Sequence, residues 1–122
     1  MKKYILVIDD EEDIVAVLKA RLEGAGYEVG CAFDGKEGFE KIKLRKPDLA
    51  VIDIMMPEIN GSTLCGMLKF DNRYKDIPVI LLTARGRDLD KEIGGTVGAD
   101  AYMVKPFDAQ SLLSVIEDLL NR

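Results

Sequence analysis

Three short, uninterrupted apolar runs constrain the fold of this chain more than any other feature. They extend from Ile5 to Ile8, from Leu49 to Ile52 and from Val79 to Leu82, and a polar residue follows each of them. Such runs are typical of strands that are covered on both faces, as in a parallel sheet. Together with two less apolar segments, they predict five strands: Tyr4–Ile8, Glu28–Ala32, Leu49–Asp53, Val79–Thr83 and Ala101–Val104.

The stretches that alternate with these strands carry apolar residues at helical spacing, which predicts five helices. Strict alternation implies right-handed crossovers and a parallel sheet with helices on both faces. The expected fold is therefore doubly wound α/β, and residues 1–122 suffice for one domain. Gly94, Gly95 and Gly98 weaken the fourth helix, which we expect to be short or mobile. The apolar positions are, helix by helix, Ile14, Leu18 and Leu22; Phe39 and Ile42; Leu64, Met67 and Leu68; Leu89, Ile93 and Val97; and Leu112, Leu113, Ile116, Leu119 and Leu120, with Asp108 as the last N-cap.

Composition excludes several classes of function. The chain has no histidine, which excludes Ser-His-Asp and Cys-His catalysis, histidine zinc sites and a phosphohistidine on this chain. A net charge of −5 argues against a nucleic-acid or anionic-membrane surface, because both need clustered lysine and arginine. The first apolar run stops before Asp9, so it is too short for the hydrophobic segment of a signal peptide or for a membrane span. We therefore expect a cytoplasmic protein.

The residues suited to chemistry follow the ends of the predicted strands. Asp9 and Asp10 follow the first strand, Asp53 and Thr83 end the third and fourth, and Lys105 follows the fifth. Because parallel strands bring their carboxyl ends to one edge of the sheet, we expect these five side chains to meet there. Three neighbouring carboxylates repel one another unless they share a divalent cation, and an all-oxygen site with room for water suits Mg²⁺. With metal and lysine neutralising phosphoryl oxygens, one carboxylate can attack phosphorus in line.

Four groups of residues, each at a strand end, occur in the order of a known family. Together they resemble the receiver domain of two-component response regulators, over the stretch from Tyr4 to Leu120. The resemblance implies a flavodoxin-like sheet with strand order 2-1-3-4-5. The four groups are Asp9-Asp10, Asp53 with Met55-Met56-Pro57 after it, Thr83-Ala84, and Lys105-Pro106-Phe107.

The resemblance implies a phosphorylation site and a metal site made of the same residues. Asp53 is implied as the phosphoacceptor, and Lys105 as the cation that pairs with the phosphoryl group. A Mg²⁺ ion is implied on Asp10 and Asp53 directly, on Asp9 mainly through water, and on the backbone carbonyl of Met55.

The resemblance also implies a switch and its partners. Thr83 would move toward the phosphoryl group. Tyr102 matches an aromatic position whose side-chain rotamer changes together with this threonine. Both would act on a face formed by the last strand and the last two helices. Separately, Pro106 matches the position at which the family has a cis-proline. A histidine kinase or phosphotransfer protein is implied as the donor, and a target protein or a linked output domain as the recipient. The chain would then be a signalling domain that is switched by phosphorylation, and not an enzyme. It would promote only its own phosphotransfer and dephosphorylation.

The residues alone leave four alternatives open. Lys105 could form a plain structural ion pair with Asp53, although this leaves the two further carboxylates at the same edge unexplained. A flavodoxin-like cofactor binder would need a Ser/Thr/Gly-rich phosphate loop, where this chain has the acidic run Asp9–Asp13. An aspartate-dependent phosphohydrolase would carry a DxDxT-type signature, but Ile54 and Met55 follow Asp53. A receiver-shaped module that is never phosphorylated would be expected to lack part of the set.

Overall fold

Five parallel strands form one sheet in the computed structural model, which describes residues 2–84 and 98–122. The strand order β2-β1-β3-β4-β5 confirms the order that the resemblance implied. The strands are β1 Tyr4–Ile8, β2 Glu28–Ala32, β3 Leu49–Asp53, β4 Val79–Ala84 and β5 Ala101–Lys105, and the helices are α1 Glu12–Gly24, α2 Gly35–Leu44, α3 Gly61–Lys69 and α4 Ala109–Leu120.

The strand bounds follow the sequence prediction closely. β1, β2 and β3 have the predicted limits, whereas β4 and β5 each extend one residue further at the carboxyl end. The extension arises because the two strands stay in register there, with Thr83 opposite Val104 and Ala84 opposite Lys105. Lys105 is therefore part of a strand, and the ladder with β4 fixes its position.

Helices cover both faces of the sheet. Among the described residues, α1 and α4 bury Leu18 and Ile116 in the core on one face, and α2 and α3 bury Ile42 and Leu64 in the core on the other. Met67 is 37% exposed, so the inward stripe of α3 is narrower than its spacing indicated. The helix predicted around residues 89–97 lies outside the described residues. Within the described part of the chain, no helix has both the length and the apolar character needed to cross a bilayer.

The connection from β3 to α3 passes close to the end of β3. Gly61, the first residue of α3, donates its N–H to the Ile54 carbonyl oxygen at 2.8 Å. A Cβ built on Gly61 would lie 2.2 Å from the Asp53 carbonyl oxygen, so the approach requires glycine. Asn60 caps α3 by accepting the Thr63 N–H at 2.8 Å. These contacts fix the backbone that follows Asp53.

Candidate functional site

The carboxyl ends of the strands meet at one edge of the sheet. Asp53 ends β3 beside β4, where Thr83 lies one residue beyond the pairing partner of Asp53. Lys105 ends β5 opposite the last residue of β4. On the other side of β3, β1 leads directly into Asp9 and Asp10. The topology thus brings to one edge the five residues that the sequence pattern assigned to it.

Lys105 joins the acidic residues across the sheet. Its Nζ donates to Asp9 Oδ2 at 2.7 Å and to Glu11 Oε1 at 2.9 Å, and it lies 3.4 Å from Asp53 Oδ1. The lysine side chain is 12% exposed, and that of Asp9 is fully buried. An ammonium group has three N–H donors, so three carboxylates can occupy all of them. In this state the ammonium is shared among three acids.

Four acidic residues form a compact cluster of oxygen ligands. One carboxylate oxygen from each of Asp9, Asp10, Glu11 and Asp53 lies within 4.8 Å of the others. Asp9 and Asp53 are buried whereas Asp10 and Glu11 are exposed, so the cluster extends from the sheet edge to solvent. Magnesium prefers a few carboxylates together with water and phosphate oxygens. The donor set therefore fits a hard divalent cation.

The electrostatic surroundings raise the pKa of Asp53 when no cation is bound. Burial, and after it the charge of Asp9, raise the pKa of Asp53, and Lys105 only partly opposes them, so that the pKa lies at about 7. Burial alone would lower the pKa of Lys105, but hydrogen bonds to Asp9 and Glu11 raise it overall. A bound cation would favour the ionised carboxylate of Asp53, because it adds positive charge next to the group.

Thr83 supplies a buried hydroxyl group at this edge of the sheet. Its residue is 1% exposed, and its Oγ1 has no hydrogen-bond partner among the described residues. A buried hydroxyl without a partner is costly, and such groups in native proteins usually call for an explanation. An incoming group with oxygen acceptors, such as a phosphoryl group, would satisfy it.

The roles of Tyr102 and Met55 remain predictions. Tyr102 lies on β5 and is 39% exposed, with the pKa of its hydroxyl raised by partial burial. Met55 follows β3 and is 45% exposed. The bond between Lys105 and Pro106 is cis, as the resemblance implied. Asp108 caps α4, as predicted from the sequence.

Glu11 is the site residue that sequence reasoning missed. It occupies the N-cap position of α1, but its side chain makes no capping hydrogen bond and contacts Lys105 instead. Glutamate is a poor N-cap compared with aspartate or serine. A glutamate at the start of a helix, directly after Asp9 and Asp10, was the sequence signal that could have identified Glu11 as a site residue.

Comparison with known proteins decides the family. The sequence model of the response regulator receiver domain matches residues 5–117. The chain belongs to this family. Receiver domains are signalling domains of two-component systems, in which histidine kinases phosphorylate an aspartate.

Two curated relatives of this receiver domain are longer regulators. The chain is 41% identical over 122 residues to the alkaline phosphatase synthesis transcriptional regulatory protein PhoP of Bacillus subtilis. It is 43% identical over 118 residues to the DNA-binding dual master transcriptional regulator RpaA of Synechocystis. The alignments cover 100% and 97% of this chain but 50% and 49% of the relatives. The receiver domain thus spans about half the length of the curated relatives it matches.

Solved receiver structures share the fold over nearly the whole chain. A response regulator receiver domain protein of Methanospirillum hungatei has a TM-score of 0.90 at 31% identity, over 99% of this chain and 95% of that one. The chemotaxis protein CheY4 of Vibrio cholerae has a TM-score of 0.88 at 30% identity, over 98% and 99%. The flavodoxin-like architecture of the receiver domain is therefore shown by sheet order and by structural similarity.

Proposed function

We propose that this receiver domain accepts a phosphoryl group on Asp53 from the phosphohistidine of a histidine kinase or a phosphotransfer protein, in a reaction that needs Mg²⁺. One observation carries the proposal. The buried carboxylate of Asp53 lies 3.4 Å from Lys105 Nζ and belongs to a cluster of carboxylates suited to a divalent cation. A carboxylate alone is a poor nucleophile toward phosphate because both are anions, and neighbouring positive charge reduces this repulsion.

The proposed transfer forms one bond and breaks one. An oxygen of Asp53 attacks phosphorus in line and forms a P–O bond, giving an aspartyl phosphate. The P–N bond to the donor imidazole breaks, and its electron pair stays on the ring nitrogen; the ring leaves neutral because its other nitrogen carries a proton. Lys105 then pairs with one phosphoryl oxygen, and Thr83 Oγ1 donates a hydrogen bond to another.

The proposed cation is Mg²⁺, held by residues of this chain. Asp10 and Asp53 would bind it directly, Asp9 mainly through water, and Met55 through its backbone carbonyl. When bound, it neutralises phosphoryl oxygens and favours the ionised form of the acceptor carboxylate. The all-oxygen cluster and its opening to solvent support this choice.

Phosphorylation is proposed to switch a partner-binding face through Thr83 and Tyr102. The two residues lie on adjacent strands, since Thr83 is in β4 and Tyr102 pairs with Leu81 of β4 from β5. A hydrogen bond from Thr83 to the phosphoryl group would therefore form on the strand next to β5. Such a local change can shift the balance between two conformations of the surface that β5 belongs to. The proposed face comprises β5, α4 and the helix predicted around residues 89–97, which lies outside the described residues.

The recipient of the signal is proposed to be a separate target protein or a linked output domain. The relatives PhoP and RpaA are named as transcriptional regulators and are about twice as long as this chain. We propose that residues 1–122 form one domain, that this domain does not itself bind nucleic acid, and that it acts in the cytoplasm. Its net charge of −5 supports the absence of direct nucleic-acid binding. Any catalytic activity is proposed to be limited to its own phosphorylation and dephosphorylation.

Acetyl phosphate and intact-protein mass spectrometry test the proposed function. In the presence of Mg²⁺ the wild type should gain the mass of one phosphoryl group, and without Mg²⁺ or as Asp53→Asn it should gain none. Asp76→Asn is the matched control, since it removes one charge from an exposed carboxylate that pairs with Lys46. It should behave as the wild type. No gain in the wild type, or an equal gain in Asp53→Asn, would contradict the proposal.

A further inference from the structure

Lys105 is held by two buried carboxylates and by one that faces solvent. Its Nζ lies 2.7 Å from Asp9 and 2.9 Å from Glu11, both closer than the 3.4 Å to Asp53. The side chains of Asp9 and Asp53 are 0% and 5% exposed, whereas that of Glu11 is 57% exposed. Glu11 is therefore the solvent-facing anchor of the ammonium.

The backbone and the side chain of Glu11 contribute separately to the site. The backbone N–H donates to Asp9 Oδ1 at 2.9 Å and so fixes the buried carboxylate. The side chain makes no capping hydrogen bond to α1, and its carboxylate accepts a hydrogen bond from Lys105. Replacing the side chain by a glutamine keeps the backbone contact and the start of the helix. The effect of such a change then reports on the carboxylate alone.

We propose that Glu11 is a positioning residue that limits how fast the domain is phosphorylated, because its carboxylate competes with the incoming phosphoryl oxygens for Lys105. The inference rests on the proposed phosphorylation of Asp53. Lys105 can give up Glu11 at low cost, since water solvates a carboxylate at the surface. Giving up Asp9 or Asp53 would leave a buried acid without its partner, which is far more costly. The contact to Glu11 is thus the one that the phosphoryl group replaces.

Charge acts in the same direction as this competition. The cluster contains the carboxyl groups of Asp9, Asp10, Glu11 and Asp53, and within the described residues the cation recorded against three of them (Asp9, Glu11 and Asp53) is Lys105. Glu11 lies on the solvent side of the cluster, where an anionic donor must approach. Removing its charge weakens the repulsion, and it also weakens the hold on one donor of Lys105, because an amide oxygen is a weaker acceptor than a carboxylate. An exposed ion pair contributes little, so we expect a change of about two- to fivefold.

The test compares Glu11→Gln with Glu12→Gln and the wild type. Glu12 is the next residue and is exposed, and it is not among the carboxylates that contact Lys105 in the described structure, so it matches the change in charge. Three quantities are measured: the rate of phosphorylation by acetyl phosphate with Mg²⁺, the affinity for beryllofluoride as a phosphoryl mimic, and the affinity for Mg²⁺ alone. Thermal-shift titrations give both affinities without any reaction taking place.

Glu11→Gln should be phosphorylated about two- to fivefold faster and should bind beryllofluoride more tightly by a similar factor, with the affinity for Mg²⁺ unchanged. If the wild type is phosphorylated, and Glu11→Gln and Glu12→Gln have the same phosphorylation rate and the same affinity for beryllofluoride as the wild type, the inference is overturned and the proposed function stays intact. A loss of Mg²⁺ affinity of about tenfold or more would also overturn it, since Glu11 would then be a metal ligand. A wild type that gains no phosphoryl group would overturn the proposed function, and the inference with it.

Discussion

The ionisation of Asp53 should make the metal-free domain less stable as the pH rises, and Asp53→Asn should remove this dependence. Burial and the charge of Asp9 raise the pKa of Asp53 to about 7 in the folded state, whereas an unfolded aspartate has a pKa of about 3.9. Between these values only the folded state binds the proton, so stability falls by about 1.4 kcal/mol per pH unit as the pH increases. From about pH 5 to about pH 7 the loss amounts to roughly 2 kcal/mol, because the slope is already halved at the folded pKa, and the loss levels off above it.

Urea unfolding in EDTA at several pH values between about 5 and 8 measures this effect. Subtracting the wild-type free energy of unfolding from that of Asp53→Asn isolates residue 53, because the other acids titrate in both proteins. The variant should be the more stable one, and its advantage should be about 2 to 3 kcal/mol larger at pH 8 than at pH 5. An advantage of the same size at every pH would refute the raised pKa, and would mean that Lys105 fully compensates for burial.

Three further changes test the metal, the β3–α3 connection and an ion pair. Asp10→Ala should abolish the rise in melting temperature that Mg²⁺ gives the wild type, because a ligand that binds only the folded state stabilises it; a persisting rise would place the metal elsewhere. Gly61→Ala should lower the free energy of urea unfolding by about 2 kcal/mol or more, since its Cβ would meet backbone at 2.2 Å, whereas Gly66→Ala meets nothing within 4 Å and should not destabilise. Lys69→Met should cost about 2 kcal/mol, because it breaks an ion pair of 2.9 Å whose side chains are 14% and 13% exposed. Lys46→Met breaks an exposed pair and should cost less than about 1 kcal/mol in the same assay.

The sheet was predictable because its strands are buried on both faces. Residues 5–8, 49–52 and 79–82 are apolar throughout, and every one of them is buried. A polar residue at the end of each run marks the point where the sheet reaches solvent. Strand order was not contained in these patterns, because several orders would bury the same residues; it came from the family resemblance.

Loop residues that enter the core were not predictable in this way. Tyr74 lies in the turns between α3 and β4 and is only 7% exposed. Its ring meets that of Phe39 edge to face, with centroids 6.2 Å apart. Turn segments have no periodic pattern, so nothing in the order of residues marks which of their side chains point inward.

Most of the candidate site was predictable, because parallel strands bring their ends together whatever their separation in sequence. The contacts of the lysines were not. Glu11 and Lys105 are 94 residues apart, and their contact depends on the direction of a side chain at the start of α1. Lys69 likewise pairs with Asp100, a residue that also accepts a hydrogen bond from Arg122. Such pairs are chosen by side-chain reach in the folded state, which one sequence does not reveal.

The most direct test of the account is to locate the phosphoryl group chemically. The domain is incubated with acetyl phosphate and Mg²⁺, and the product is reduced with borohydride, which converts an aspartyl phosphate to homoserine. Peptide mass spectrometry then identifies the converted position. We predict homoserine at position 53 in the wild type, and none when Mg²⁺ is omitted. Homoserine at position 9 or 10, or a phosphoryl group on a hydroxyl side chain, would contradict Asp53 as the acceptor.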